Sequence, residues 1–311
     1  MDETMIIVGG IVAAGLRMAV PILLAALGIS LTGSSGVLNL GAEGIMEVGA
    51  ASAFIAFTLT GSSGSSLLIA VFAGVFLGLL FAFLVIDLYT DQVLAGLTFW
   101  IFGVGISSYM FKIQKLPIVT VKGEVLPRLS IPFLSQVPII KDILSQDLLL
   151  YSTFILMVIV WVLLYKTRWG LMIRASGHSP AAVKSSGGYP RIIRYLCTIL
   201  GSAFMALGGA YLSLEIAKAY YLPSPLIGIA QLRGFIAIVV TIFGSWNPLK
   251  IGAASLLIGG VDALQLRLQR MFPGIPIYFF VMLPYLIALF SLIVTFKKAE
   301  SPQSLGKPFI E

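Results

Sequence analysis

A chain of 311 residues that is 59% hydrophobic and 11% charged, with a mean hydropathy of +1.03, cannot bury its apolar surface in a water-soluble core; soluble domains run at roughly 45–50% apolar and ~25% charged. Its net charge of +7 sits largely in connections between apolar stretches, which argues against a nucleic-acid partner. The pattern predicts an all-α fold, a polytopic membrane helical bundle of about 8–10 transmembrane helices, some of them broken or re-entrant half-helices.

The first apolar stretch, 5–31, follows the acidic "MDETM". Without a basic leader or a small-residue cleavage pattern, it reads as a retained span and not a removed signal peptide. The second, 36–60, carries Asn39, Glu43 and Glu47 where leucines would be ordinary. If 36–54 is helical, 100° per residue places these three and Ala50 within about 80° of arc, on one face. A carboxyl at the centre of a bilayer helix costs ~2.5–3.5 kcal/mol, so that face should look toward protein or a cavity. Three readings stay open: a structural clasp to neighbouring helices, a lining for a substrate's hydroxyls, or a site for a coupling proton or cation.

"GSSGSS", 61–66, is a flexible turn before spans at 67–86 and 93–111, with Asp87 and Asp91 read as solvated at the intervening turn. The loop 112–147 mixes both signs of charge and is expected to be extracytoplasmic; 148–165 is the next span. The following stretch, 166–194, contains Lys166, Arg168, Arg174, Lys184, Arg191 and Arg194 and no acid. The positive-inside rule makes it cytoplasmic, as it does the region of Lys297, Lys298 and Lys307. An even number of apolar segments separates the two regions, and counting back places the N-terminus outside. Within the basic loop, Ser179 reads as an N-cap, Pro180 as the first helical residue, and Gly187 and Gly188 as the stop. A helix over 180–186 is too short to stand alone in water and calls for a docking partner.

In the span 192–214, Ser202, Ala206 and Ala210 form a small-residue stripe that permits close helix approach. Pro223, Pro225, Gly228, Gly234, Gly244 and Pro248 then break the apolar pattern, so that 232–246 reads as a half-helix. Half-helix ends at membrane depth would offer unpaired backbone donors to a polar substrate. Arg233 is either an interfacial, snorkelling arginine or a charge facing the pathway or a carboxylate. Asp262, in span 249–265, could pair with Arg233 or Arg267. Trp246 reads as an interfacial anchor, and 276–296 is the last span. One membrane domain, 1–311, accounts for the whole pattern.

No phosphate-binding glycine loop, zinc-binding H-E-x-x-H or nucleophile elbow is present. Cys197 and His178 stand alone, so a metal site is not expected. An enzyme inside the membrane is disfavoured, and any uphill transport would draw on a partner subunit or an ion gradient.

Gly177-His178-Ser179-Pro180-Ala181-Ala182 followed by Gly187 resembles the G-x-x-x-x-A-A-x-x-x-x-G coupling loop of ABC transporter permeases. Residues 26–50, 232–269 and 281–294 resemble, in order, the N-terminal signature, the long motif and the last span of the nucleoside and simple-sugar permeases, a branch akin to the branched-chain amino acid permeases. Glu47 departs from that pattern, standing where those permeases tend to be apolar. The resemblance implies a transport subunit, not an enzyme, of an ATP-driven importer for nucleosides or simple sugars in the cell membrane. It implies coupling to the ATPase through Gly177, Ser179, Pro180, Ala181, Ala182 and Gly187, with ATP on that partner and no cofactor on this chain. It also implies a second permease subunit, in a homo- or heterodimer, and an extracytoplasmic binding protein or lipoprotein, in a setting of membrane lipid and no nucleic acid. Asn39, Glu43, Glu47, Arg233 and Asp262 stand as pathway-lining or structural polar residues. The alternative is an ion-coupled secondary transporter using its intramembrane carboxylates.

Overall fold

The computed structural model describes residues 3–113, 125–128, 145–219, 228–295 and 301–308. Most of the loop 112–147 falls outside these residues, as do Pro223, Pro225, Lys297 and Lys298. Among the described residues seven helices are long and apolar enough to cross a membrane, accompanied by the shorter apolar helices Arg233–Phe243 and Ile277–Ser291. The fold is an all-α polytopic bundle, because helices satisfy their own backbone where lipid offers no hydrogen bonds.

In chain order, α1 (Glu3–Ser34) is followed by α2 (Ala42–Thr60), α3 (Ser63–Ala82, prolonged by a π-turn over Phe83–Asp87) and α4 (Gln92–Ile113). Then come α5 (Leu148–Lys166), α6 (Arg168–His178), α7 (Pro180–Ser185) and α8 (Pro190–Tyr211, prolonged by a π-turn over Leu212–Ile216). The chain closes with α9 (Arg233–Phe243), α10 (Pro248–Met271) and α11 (Ile277–Thr295).

α8 is the hub, packed against α1, α2 and α3, while α1 is also flanked by α10 and α9. Small residues set these distances. A Cβ built on Gly209 of α8 would lie 1.8 Å from the Met46 carbonyl oxygen of α2, so the two backbones touch. On the next face, Ser202 and Ala206 of the expected stripe abut Gly78 and Gly74 of α3.

Two expectations need correction. The segment 36–60 is not one helix: α2 begins at Ala42, and residues 35–41 run without helical structure. Near the start of α8 Arg194 meets the Ser35 carbonyl, whereas Asn39 meets Met205 further along it. Those α8 positions are eleven residues apart, or roughly 16 Å at 1.5 Å per residue. The chain therefore climbs deep into the bundle before α2 starts. Its polar backbone is satisfied internally: Val37 N–H donates to Thr32, Leu38 N–H to the Gln92 side chain at 2.6 Å, and Gly41 N–H to Asn39 Oδ1 at 3.0 Å. In the basic loop the expected short helix forms over Pro180–Ser185, and an amphipathic helix, α6, precedes it and seats Gly177 against the Ser34 backbone.

Asp87 is also not the solvated residue the pattern implied. It accepts from the Tyr195 hydroxyl and the Arg191 guanidinium, tying the end of α3 to the start of α8. Asp91 is exposed and caps α4, accepting from Val93 and Leu94 N–H at 2.9 and 3.0 Å.

Candidate functional site: a carboxylate clasp and an exposed coupling helix

The turn leading into the short helix α9 and the first turn of that helix leave buried backbone N–H groups without an intrahelical acceptor. Glu43 and Glu47, one turn apart on α2, accept from Ile229, Ala230 and Leu232 in the turn and from Gly234 in the helix. Glu43 takes the N–H groups of Leu232 and Gly234, each at 2.7 Å. Glu47 takes those of Ile229 at 3.2 Å and Ala230 at 2.6 Å. Both carboxylates are buried, at 1% and 0% exposure. Their acidity suits the position, since a helix N-terminus carries about half a positive charge.

The geometry tolerates little else. Gln231 and Leu232 adopt left-handed backbone, φ 50° and 63°, at a cost of about 1–3 kcal/mol each that surrounding contacts must offset. Gly228 and Gly234 let the carboxylates approach: a Cβ on Gly228 would fall 2.1 Å from Glu47 Cδ, and one on Gly234 2.5 Å from the Glu43 nitrogen. These four N–H groups, of the kind expected to await a substrate, are thus occupied by the protein itself.

Asn39 does not share this cluster. It is fully buried in the irregular segment before α2, where its amide orders the Gly41 turn and faces Met205 sulfur at 3.9 Å. Arg233 Nη2 lies 3.2 Å from Asp262 Oδ2, linking the start of α9 to α10. Of the partners weighed for Asp262, Arg233 is the one within ion-pair distance. Trp246 sits in the tight α9–α10 turn with φ 55°, and its carbonyl accepts from Ser30 Oγ at 2.8 Å.

In the basic loop, Ser179 Oγ accepts from Ala182 N–H at 3.4 Å, Pro180 opens α7, and Gly187 leaves it with φ 83°. Val183 is buried beneath, whereas Ser179, Ala181, Ala182, Lys184 and Gly187 are exposed. Gly177 is the buried root of this segment. Its carbonyl accepts from Ser304 N–H at 2.9 Å and Ser304 Oγ at 2.6 Å. Arg194 completes the joint, donating to Ser35 O at 3.2 Å and to Ser304 Oγ at 3.2 Å. In the sequence Arg194 read as one more loop charge; only its position inside the apolar run 192–214 hinted at burial.

At the opposite end, a cavity of about 650 Å³ is lined by Arg17, Arg128, Lys218, Arg267 and Arg270 with one carboxylate, Glu215. Arg128 and Glu215 pair at 3.4 Å. Among the described residues no three His, Cys, Asp or Glu side chains converge on a possible metal position.

A bundle with broken helices, and with an exposed helical turn projecting from one end, has the build of a membrane permease. The family model described as the branched-chain amino acid transport system permease component matches residues 11–292, and the chain belongs to that family. A guanosine ABC transporter permease of Bacillus subtilis (strain 168) is 31% identical over 97% of this chain and 96% of its own. A nucleoside ABC transporter permease of Lactococcus lactis subsp. cremoris (strain MG1363) is 28% identical over 97% of this chain and 96% of its own. A Haloferax volcanii protein named, provisionally, as a glucose ABC transporter permease is 30% identical over 84% of this chain and 78% of its own. No solved structure matches significantly. The chain is therefore a multi-pass membrane permease subunit of an ABC importer, a transport component.

Proposed function

We propose that this permease carries nucleosides, drawing its energy from ATP hydrolysed on a partner ATPase that grips α7. The observation that carries the coupling assignment is the exposed, capped turn Pro180–Ser185, with Ala181 and Ala182 outward and Val183 anchoring it from below. A helix of this length needs a surface to pack on, and two small outward residues fit a cleft. Nucleosides are favoured over sugars because the two relatives that span nearly the whole chain are named for guanosine and nucleosides. A second permease subunit and an extracytoplasmic binding protein complete the assembly, and no cofactor is needed on this chain.

In this reading Glu43 and Glu47 are structural. Their oxygens already hold four backbone donors, which leaves them poor ligands for a coupling cation and removes the main support for ion-coupled transport. Ala182→Glu tests the coupling assignment. The variant should insert and melt like wild type, lose co-purification of the ATPase, and lose ATP-dependent guanosine uptake in proteoliposomes. Retention of both association and uptake would overturn it. Uptake of glucose but not guanosine by the wild-type assembly would overturn the substrate class.

A further inference from the structure

Beside the coupling segment, a second cavity of about 300 Å³ is walled by Tyr165, Arg174, His178, Trp246 and Lys250 and floored by Ser34. It gathers the ends of α1 and α5, the helix α6 that carries α7, and the α9–α10 turn. Three basic side chains line it and no acidic one does. Among the described residues Arg174, His178 and Lys250 form no ion pair. The Arg174 guanidinium lies over the Tyr165 ring at 4.8 Å, which fixes its plane, yet its Nε is buried and donates to nothing. A buried guanidinium N–H without an acceptor is costly, and like charges gathered without an acid repel unless an anion joins them.

We propose that this cavity is a phosphate-binding site, taking the phosphate group of an anionic phospholipid of the adjacent leaflet or of a soluble phosphate compound. The donors match that chemistry: a guanidinium fork for two oxygens, and an ammonium as a mobile point charge. Basic pockets between transmembrane helices on the cytoplasmic side are a recurring setting for lipid headgroups, and tyrosine and tryptophan are residues of the membrane interface. The cytoplasmic side rests on the assignment of the coupling loop made above, but the site does not depend on the transported substrate. An occupant would bridge Arg174 and His178, on the α6 segment leading into α7, to Lys250 at the start of α10. It would thereby brace the coupling helix against the half-helix turn.

The purified full-length chain tests this without any transport assay. Native mass spectrometry and thermal unfolding are read in nanodiscs of phosphatidylcholine alone, of phosphatidylcholine with phosphatidylglycerol, and of phosphatidylcholine with inorganic phosphate at matched ionic strength. Retention of phosphatidylglycerol with a higher melting temperature, weakened about tenfold by Arg174→Gln with Lys250→Gln as expected of two charge-assisted contacts, assigns the lipid phosphate. The same protection from inorganic phosphate, with nothing added by phosphatidylglycerol, assigns the soluble anion. Lys250 is exposed, so Lys250→Gln alone keeps the test open if the double variant fails to fold. Absence of protection in both arms, or protection unchanged in the variants, overturns the site.

Discussion

Arg194 Nη2 lies 3.2 Å from Ser304 Oγ, joining positions 110 residues apart. The same side chain is 3% exposed and also donates to Ser35 O and Lys307 O, at 3.2 and 3.5 Å. One buried guanidinium thus holds together the end of α1, the root of the segment that carries α7 and the C-terminal turn. Arg194→Ala should destabilise the protein by about 1–3 kcal/mol, since buried acceptors lose a charged donor. It should also free residues 301–308 to limited proteolysis. Arg194→Lys keeps the charge but not the fork and should fall between the two. Equal melting temperatures and equal protease resistance in detergent would exclude the joint.

The carboxylate clasp makes a different prediction for each substitution. Glu43→Gln and Glu47→Gln each keep one acceptor oxygen but turn an amide donor toward a backbone donor, and each should cost about 1–3 kcal/mol. Leucine removes both acceptors and strands two N–H groups in a dry site, so Glu47→Leu should be worse than Glu47→Gln. Because both residues hold the same turn, the double variant should be less damaging than the sum. Thermal unfolding of the four variants in one detergent measures the series. A Glu47→Leu protein with wild-type yield, melting and uptake would make Glu47 a tolerated passenger.

The sequence disclosed much of this arrangement and misplaced the rest for physical reasons. Spans follow from long apolar runs, and the short helix α7 from Ser179-Pro180 and Gly187, because these signals are local. The break at 35–41 is hidden because Gly36 and Gly41 lie among apolar residues that look equally well helical. Nothing in that stretch announces that Gln92, 54 residues on, will satisfy the Leu38 amide. Glu43 and Glu47 are visible in the sequence as polar residues facing inward, but their partners are backbone N–H groups, which no sequence pattern marks.

Arg233 and Asp262 are both largely buried, with side-chain exposures of 15% and 12%. Removing one partner therefore leaves an uncompensated charge, costing about 3–5 kcal/mol. Arg233→Asp and Asp262→Arg should each lower the yield of folded protein sharply, and the double reversal should recover a substantial part of it. Size-exclusion profiles and melting curves of the three variants decide the matter. A double reversal no better than either single change would show that the two charges are held by other groups.

Two glycines provide a test of how the bundle is packed. Gly209→Ala would drive its Cβ to 1.8 Å from the Met46 carbonyl oxygen, a backbone atom with no rotamer to yield. The change must separate α8 from α2, and α2 is the helix that holds the clasp. Overpacking of this kind costs typically ~1–3 kcal/mol and sometimes more; the absence of slack places Gly209 at the upper end. Gly105 lies within α4, is exposed, and has nothing within 4 Å of a built Cβ. Gly105→Ala should be neutral or stabilising by about 0.5–1 kcal/mol, from helix propensity alone. If both alanines melt alike, the close approach of α8 and α2 does not limit stability. If only Gly209→Ala fails, and Glu43→Gln adds little further loss on that background, the clasp depends on the α2–α8 contact that Gly209 permits.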